Sequence, residues 1–263
     1  MADKPAVLVA IPVYNEETYV ERVLERVLRH ASRVLVIDDG STDGTPCLLP
    51  KFPVEVIRHA RNRGYGRSLQ DAFRWAAVDR FDWIITMDCD EQHEPEAIPH
   101  FIQRCLDGRW DVISGSRYLN EVPGNHSPPQ NRRIINAAIT REVNSRLELR
   151  LTDSFCGFKA YRVKSLARLR LDVDGYAFPM QFWVQAAAER LAITEIPVKL
   201  IYNDPNRTFG GPLDDDCNRI RHYREVLYRE IRRCRDRLSP HSLDGADLED
   251  ACLCCTADGS LSR

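Results

Sequence analysis

The sequence lacks an excess of charge of either sign. Its 263 residues include 37 Lys and Arg against 39 Asp and Glu, for a formal net charge of −2 at pH 7. Non-specific binding to nucleic acid depends on a broad basic field. The balance therefore argues against a protein that binds nucleic acid through its overall charge, and such a partner would need a local basic patch.

Long apolar runs are also missing. No stretch approaches the ~20 apolar residues of a membrane-spanning helix. Residues 1–4 lead straight into an apolar segment without a signal-peptide pattern. The length suits one large α/β domain with a sizeable core. We therefore expect a cytoplasmic protein, and the sequence leaves its oligomeric state open.

Clustered metal-binding cysteines are absent from most of the chain. The nine cysteines are too scattered for a zinc ribbon or a small disulfide framework, and we expect most of them to be buried thiols in a reducing compartment. Cys252, Cys254 and Cys255 stand close together, where they could bind a metal or carry a lipid. No nearby His or fourth cysteine completes a site, so we interpret this group as an incidental feature of the tail.

Two glycine-rich nucleotide-binding motifs are missing as well. The turn after the first apolar run, residues 12–16, is not Gly-x-Gly-x-x-Gly, which argues against a dinucleotide-binding dehydrogenase. The basic loop at residues 61–67 lacks the spacing of a P-loop. It enters a predicted helix N-terminus, where phosphate can bind, and a solvated turn is the alternative.

The sequence does contain a regular alternation of predicted strands and helices. Apolar runs at residues 6–13, 33–37, 54–57, 81–87 and 111–116 predict buried strands, with amphipathic helices at 16–30, 66–78 and 95–106 between them. This order predicts an α/β fold with a Rossmann-like, mostly parallel central sheet flanked by helices.

The second half of the chain is predicted to add a helix, a pocket-lining strand or hairpin, a helix, a strand and a long C-terminal helix, at residues 131–149, 153–162, 174–190, 193–202 and 213–238. The last helix carries eight arginines on its polar faces. They are compatible with packing against the domain or a partner subunit, or with contact to an anionic membrane surface. We expect one domain over residues 1–238 and a disordered tail over 239–263.

An acidic turn follows the fourth predicted strand. Asp88 and Asp90 are two residues apart, and side chains at such positions share a face of a strand. Both carboxylates can therefore reach one divalent cation, and hard oxygen ligands suit Mg²⁺ or Mn²⁺. Without the remaining motifs, an exposed acidic loop would be an equally good interpretation.

Taken in order, the motifs resemble the family 2 glycosyltransferases of the GT-A fold, and within them the dolichol-phosphate mannose synthase-like branch. The resemblance runs from residue 7 to about residue 210. Each motif is common, but their order and spacing are specific. The matching segments are residues 12–16, 38–45, 88–96, 115–118, 132–133, 153–162 and 175–178.

The resemblance implies an inverting, metal-dependent transfer of a hexose from a GDP- or UDP-linked sugar. The family motif places Pro12, Tyr14 and Glu16 in the nucleotide-binding turn, and Asp39 at the base. It makes Asp88, Asp90 and Gln92 the metal and diphosphate site, where Asp90 would hold the ion as a Lewis acid for the departing diphosphate. The arginines that match phosphate-binding positions are Arg117, Arg132 or Arg133, and Arg207.

Two departures from the family pattern concern the acceptor. Gln181 stands where the mannose synthases carry an acid, which weakens a hydroxyl acceptor activated at that position. Residues 211–213 replace a Ser and Lys, so one expected phosphate-binding cation is missing. Asp153 is the remaining candidate for a catalytic base, and its alternative role is to orient an arginine.

The leading hypothesis is transfer to a polyprenyl phosphate by an enzyme docked peripherally at the cytoplasmic face of the membrane. Transfer to a soluble or glycan hydroxyl is the second enzymatic hypothesis. A non-catalytic module that binds a sugar nucleotide and a nucleotidyltransferase are hypotheses of other classes. The sugar, the nucleotide and the acceptor are not determined by the sequence.

Overall fold

The computed structural model describes residues 5–120, 125–126, 129–202 and 211–245. The predicted phosphate-binding Arg207 lies outside these residues. So do residues 246–263 of the predicted tail, with their three cysteines.

One seven-stranded sheet forms the centre of the molecule, in the order β3-β2-β1-β4-β6-β5-β7. Every neighbouring pair is parallel except those of β6, which runs antiparallel to both β4 and β5. The predicted mostly parallel sheet is therefore confirmed. The strands are β1 Val7–Val13, β2 Val34–Asp38, β3 Glu55–Arg58, β4 Trp83–Thr86, β5 Val112–Ser116, β6 Lys159–Arg162 and β7 Ile193–Pro197.

Helices cover both faces of the sheet because its central strands are apolar on both sides. In β1, Leu8 and Ala10 enter one core, whereas Val9 and Ile11 enter the other, as the period of two residues in a strand requires. Helices α3, α5, α7 and α8 pack on the first face, and α1 and α4 on the second. The helices are α1 Val20–Val27, α2 Thr45–Leu48, α3 Tyr65–Val78, α4 Ile98–Cys105, α5 Gln130–Leu147, α6 Val163–Leu166, α7 Phe178–Ala188 and α8 Asp216–Arg233.

Several predicted elements are shorter in the structure. Only Lys159–Arg162 of the segment at 153–162 is a strand, because residues 153–158 approach the sheet as a loop. The strand predicted at 193–202 ends at Pro197. The long C-terminal helix is broken into a 3₁₀ turn at Gly211–Asp214, then α8, and a second 3₁₀ turn at Arg235–Arg237.

Helix α8 packs against the domain, which is one of the interpretations that its sequence allowed. It buries Ile220, Leu227 and Ile231, and Arg224 pairs with Glu142 of α5 at 2.9 Å. None of the described helices is long and apolar enough to span a bilayer. After α8, residues Pro240–Leu243 form a 3₁₀ helix. Arg146 of α5 donates a hydrogen bond to the carbonyl oxygen of Ser242 in this helix, so secondary structure continues past the predicted domain boundary at residue 238.

Candidate active site

A cleft with a volume of about 500 Å³ opens at the carboxyl ends of the parallel strands. Open α/β sheets bind their ligands at this edge because the loops that leave the strands converge there. The cleft brings together most of the residues that the sequence predicted for the site. Among these it is lined by Pro12, Tyr14, Glu16, Asp39, Asp88, Asp90, Gln92, Arg117 and Arg132.

The first turn of the site is fixed by hydroxyl groups that follow β2. The backbone N–H of Asn15 donates to Ser41 Oγ, and that of Glu16 donates to Thr45 Oγ1, both at 2.9 Å. Asn15 itself adopts a left-handed conformation with φ 56°. The two motifs at residues 12–16 and 38–45 therefore form one unit, although they lie on different strands.

Asp39 lines the cleft and also anchors the loop that precedes α3. Its carboxylate accepts the backbone N–H groups of Arg63 and Gly64, each at 2.8 Å, and lies 2.6 Å from Nδ1 of His59. Within this loop, Asn62 and Gly64 reach the cleft, whereas the side chain of Arg67 pairs with Asp71. Asp39 therefore fixes the position of a loop that lines the cleft.

The acidic turn after β4 is held by a buried histidine. The Asp88 N–H donates to Nδ1 of His93 at 3.0 Å, so this nitrogen carries no proton. Burial lowers the pKa of His93 to about 4, which keeps the ring neutral near pH 7. Asp90 accepts the N–H of Gln92 at 3.0 Å. The carboxylates of the turn therefore lie on a fixed backbone beside an uncharged ring.

The absence of a side chain at Gly157 leaves space for the Asp88 carboxylate. A Cβ atom at Gly157 would lie 2.6 Å from Asp88 Oδ2 and 2.9 Å from the hydroxyl of Tyr65. Such distances are too short for carbon, so a side chain at this position would have to displace the Asp88 carboxylate. Burial and the nearby Asp88 raise the pKa of Tyr65 well above its ordinary value, and its hydroxyl stays protonated.

The donor set fits a hard divalent cation that also binds substrate phosphate. Asp88, Asp90 and Gln92 all line the cleft with oxygen-bearing side chains. In the described part of the chain, no cluster of three or more His, Cys, Asp or Glu side chains is arranged around a metal position. Mg²⁺ commonly takes only one or two protein carboxylates and completes its shell with water and phosphate oxygens.

The other end of the cleft is built on a buried ion pair. Asp153 is fully buried; it accepts Arg117 Nε at 2.6 Å and Arg117 Nη2 at 2.9 Å, and Asn136 of α5 donates to it at 3.1 Å. Burial alone would raise the pKa of Asp153, but the charge and hydrogen bonds of Arg117 outweigh it and hold the pKa well below its ordinary range. This geometry favours the arginine-orienting role of Asp153 over that of a base.

The structure separates the two adjacent arginines of α5. Arg132 lines the cleft, with its guanidinium carbon 5.5 Å from the centre of the Tyr202 ring, whereas Arg133 is exposed and is not part of the cleft wall. Helical geometry turns successive residues by about 100°, so only one of the pair can face the cavity.

Gln181 does not face the cleft, which corrects the inference drawn from it. Its side chain is fully buried, and its amide donates to Asp172 at 2.6 Å and to the buried Glu230 of α8 at 3.1 Å. It therefore joins α7 to α8 in the core. The missing acid at this position says nothing about the acceptor of this chain.

Three aromatic or basic residues of the cleft wall were not predicted from the sequence: Tyr202, Arg219 and Tyr223. Arg219 and Tyr223 were read as part of a helix that packs or contacts a membrane, because their inward direction depends on how α8 docks. Phe155 also lines the cleft, as the predicted position of its segment beside the pocket implied.

Comparison with known proteins gives the same family as the motifs. The model described as glycosyl transferase family 2 matches residues 8–170. The undecaprenyl-phosphate mannosyltransferase of Micrococcus luteus is 33% identical over 208 residues, which cover 74% of this chain and 83% of that protein. The UDP-N-acetylglucosamine–dolichyl-phosphate N-acetylglucosaminyltransferase of Methanococcus voltae is 26% identical, over 80% of this chain and 91% of the relative.

Solved structures agree on the architecture. Glucosyl-3-phosphoglycerate synthase from Mycobacterium tuberculosis, crystallised with Mn²⁺, UDP and glucosyl-3-phosphoglycerate, matches with a TM-score of 0.63 at 19% identity, over 88% of this chain and 80% of that chain. At this identity the match shows the fold, which is the GT-A fold. The chain thus belongs to glycosyl transferase family 2, in the dolichol-phosphate mannose synthase-like branch, and is a glycosyltransferase.

Proposed function

We propose that the enzyme transfers a hexose from a GDP- or UDP-linked sugar to a polyprenyl phosphate, with inversion at the anomeric carbon. One observation carries the proposal: a single cleft runs from the turns after β2, β1 and β4, which carry carboxylates, to the loop after β5 and to α5 and α8, which carry arginines. The carboxylate end suits a cation with a diphosphate, and the arginine end suits a second phosphate. A sugar between them would have its leaving group and its nucleophile on opposite sides, as direct displacement requires.

At the donor end, Asp88, Asp90 and Gln92 would hold Mg²⁺ or Mn²⁺ together with the diphosphate. The bound cation would stabilise the negative charge that develops on the departing nucleotide. Tyr14, with 45% of its surface exposed at the rim of the cleft, and the turn at Glu16 are the proposed nucleotide contacts. Asp39 is proposed to contact the base. It also holds the neighbouring loop in place.

At the acceptor end, Arg117 and Arg132 would bind phosphate, to which a guanidinium can donate two parallel hydrogen bonds. Arg207 is proposed as a third such residue from its motif alone. A phosphate acceptor is already ionised near pH 7 and needs no strong general base. The engagement of Asp153 with Arg117 supports this route, because it leaves that carboxylate in an orienting role.

The relatives favour a lipid acceptor but not one sugar. Their names pair undecaprenyl phosphate with mannose in one case and dolichyl phosphate with N-acetylglucosamine in the other. We infer peripheral docking at the cytoplasmic face of the membrane, in which exposed arginines of α8 such as Arg221 and Arg232 contact anionic lipid. Sedimentation with vesicles with and without anionic lipid tests the contact, and equal binding to both would contradict it.

The full chain should be incubated with radiolabelled GDP-mannose, UDP-glucose or UDP-N-acetylglucosamine, a short-chain polyprenyl phosphate, and Mg²⁺, Mn²⁺ or EDTA. We expect metal-dependent label in the organic phase, with the anomeric configuration inverted relative to the donor. The same prenol without its phosphate is the matched control. Label that remains in the aqueous phase with every donor would contradict a lipid acceptor, and donor binding without transfer would indicate a non-catalytic module.

A further inference from the structure

One arginine of α8 faces the cleft. Arg219 is 4% exposed, whereas Arg221, Arg229 and Arg232 of the same helix are exposed to solvent. It lines the same cavity as Arg117 and Arg132. A buried arginine is costly unless its charge has a partner, and Arg219 has one in Asp216.

Contacts from two sides hold Arg219 in place. Its Nη1 donates to the carbonyl oxygen of Leu213 at 3.0 Å, and its Nη2 pairs with Asp216 in the first turn of α8. The other oxygen of Asp216 accepts Asn131 of α5 at 3.1 Å. Asn131 is the residue before Arg132, so this chain of contacts links α5 to α8 next to their cleft-facing arginines.

The charges of these arginines influence the pKa values of the same two tyrosines, Tyr202 and Tyr223. Burial raises the pKa of Tyr202, and the charges of Arg132, Arg117 and Arg219 each oppose that rise. The pKa of Tyr223 is raised by burial to about 12, against the charges of Arg219 and Arg132. In this wall, Arg117 pairs with Asp153 and Arg219 pairs with Asp216. Three guanidinium groups thus line one cleft, and a phosphate can accept hydrogen bonds from more than one of them.

We propose that Arg219 binds the phosphate group of the acceptor together with Arg132, and so makes the enzyme specific for acceptors that carry a phosphate monoester. This inference rests on the proposed function, in which the acceptor is a phosphate, and adds a residue outside the part of the chain that the family model matches. The phosphate could come from a lipid or from a small soluble molecule, and the two are separated below.

The test uses the full chain with Arg219→Ala, Arg219→Lys and, as a matched control on the exposed side of α8, Arg229→Ala. Loss of charge-assisted hydrogen bonds to phosphate should raise the KM for a short-chain prenyl phosphate by about ten- to a hundredfold in Arg219→Ala. Arg219→Lys should recover part of this loss because it keeps the charge. The KM for the donor, and every constant of Arg229→Ala, should stay within about twofold of the wild type.

A structural role for Arg219 predicts a different pattern. If it only braces α8, Arg219→Ala lowers the unfolding temperature and raises the KM of donor and acceptor alike, and the proposal is wrong. It is also wrong if Arg219→Ala keeps the wild-type acceptor KM while the wild type transfers sugar to prenyl phosphate. In that outcome the proposed function stands without it.

Calorimetry with UDP and Mn²⁺ present covers the case in which the wild type transfers nothing to prenyl phosphate. Glycerol phosphate, which has no prenyl chain, is then the probe. Binding that Arg219→Ala abolishes and Arg229→Ala preserves would support the phosphate site and assign it to a soluble acceptor. Absence of binding by the wild type to either phosphate monoester would overturn both the site and the proposed function.

Discussion

The two ends of the cleft are built in different ways. The carboxylate end comes from turns that directly follow β1, β2 and β4, and hydrogen bonds between neighbouring turns hold it, such as Glu16 N–H to Thr45. The arginine end combines Arg117 after β5 with Asp153 before β6, and with residues of α5 and α8. One end thus depends on local strand-to-helix turns, and the other on docking between distant segments.

This difference predicts how each end responds to substitution. Changes at the carboxylate end should reduce catalysis and leave the fold intact, because backbone groups of the same or a neighbouring turn hold its side chains. Changes at the arginine end should reduce stability together with acceptor binding, because the same ion pair joins separate parts of the chain. Four substitutions test the comparison.

Asp90→Ala should have the largest effect. It removes a carboxylate from the proposed cation site, and loss of one preorganised electrostatic contact commonly lowers kcat by about 10²–10³. Metal-dependent transfer should fall by at least this factor while the circular dichroism spectrum is unchanged. Glu91→Gln is the matched control, because this neighbouring carboxylate points to Arg22, away from the cleft. Equal losses in both variants would contradict the assignment of Asp90.

Asp153→Asn should reduce stability most. Removing one charge of a buried ion pair costs about 3 kcal/mol of unfolding free energy, measurable by urea denaturation. The KM for the acceptor should rise because Arg117 loses its orientation. If Asp153 is instead a base for a hydroxyl acceptor, the variant keeps its stability and donor binding but loses turnover.

The same residue gives a dependence on pH. Because the pKa of Asp153 is lower in the folded protein than in the unfolded chain, its contribution to stability is complete above about pH 4 and is lost as the pH falls below that value. Between pH 6 and about pH 3, the unfolding free energy should therefore change less with pH in Asp153→Asn than in the wild type. The same dependence of the unfolding free energy on pH in both proteins would contradict the buried ion pair.

Gly157→Ala should have an intermediate effect and should connect the two ends. The added Cβ would displace the Asp88 carboxylate, so we expect kcat to fall by roughly tenfold, as a small shift of a positioned group can cause. Gly175→Ala is the matched control, because a Cβ there meets nothing within 4 Å. When activity is titrated with Mn²⁺, only Gly157→Ala should need a higher Mn²⁺ concentration for half-maximal activity.

His59→Gln should have the smallest effect. Asp39 loses its contact with the ring but keeps the backbone N–H groups of Arg63 and Gly64. A single hydrogen bond contributes about 0.5–1.5 kcal/mol, so the KM for the donor should rise by about two- to tenfold. The acceptor KM should not change; a rise in both would show that the ends are coupled through α3.

The sequence predicted the carboxylate end better than the arginine end for a physical reason. Asp88 and Asp90 follow an apolar run, and both the strand and the shared face can be read from neighbouring residues. The inward direction of Arg219 depends on the docking of α8 on α5, which no pattern within 213–238 encodes. Gln181 was misread for the same reason, because only the packing of α7 on α8 shows that it meets Glu230.

The position of β6 in the sheet could not be predicted either. Its segment was identified as a strand or hairpin, but its register, in which Ala160 lies opposite Ile85 of β4 and Ile113 of β5, joins residues far apart in the chain. Pairing of this kind is decided by competition among whole strands. The alternation of strands and helices up to residue 116 gives no hint that a later strand will separate β4 from β5.

The antiparallel strand β6 also sets an order for folding. During synthesis, β4 can pair with β1 early, but its other edge has no partner until Lys159–Arg162 has been made. A chain that stops before this strand exposes an apolar edge, which is prone to pair with other molecules. We therefore expect amino-terminal fragments ending near residue 120 to aggregate, and β6 to act as the late segment that closes the sheet.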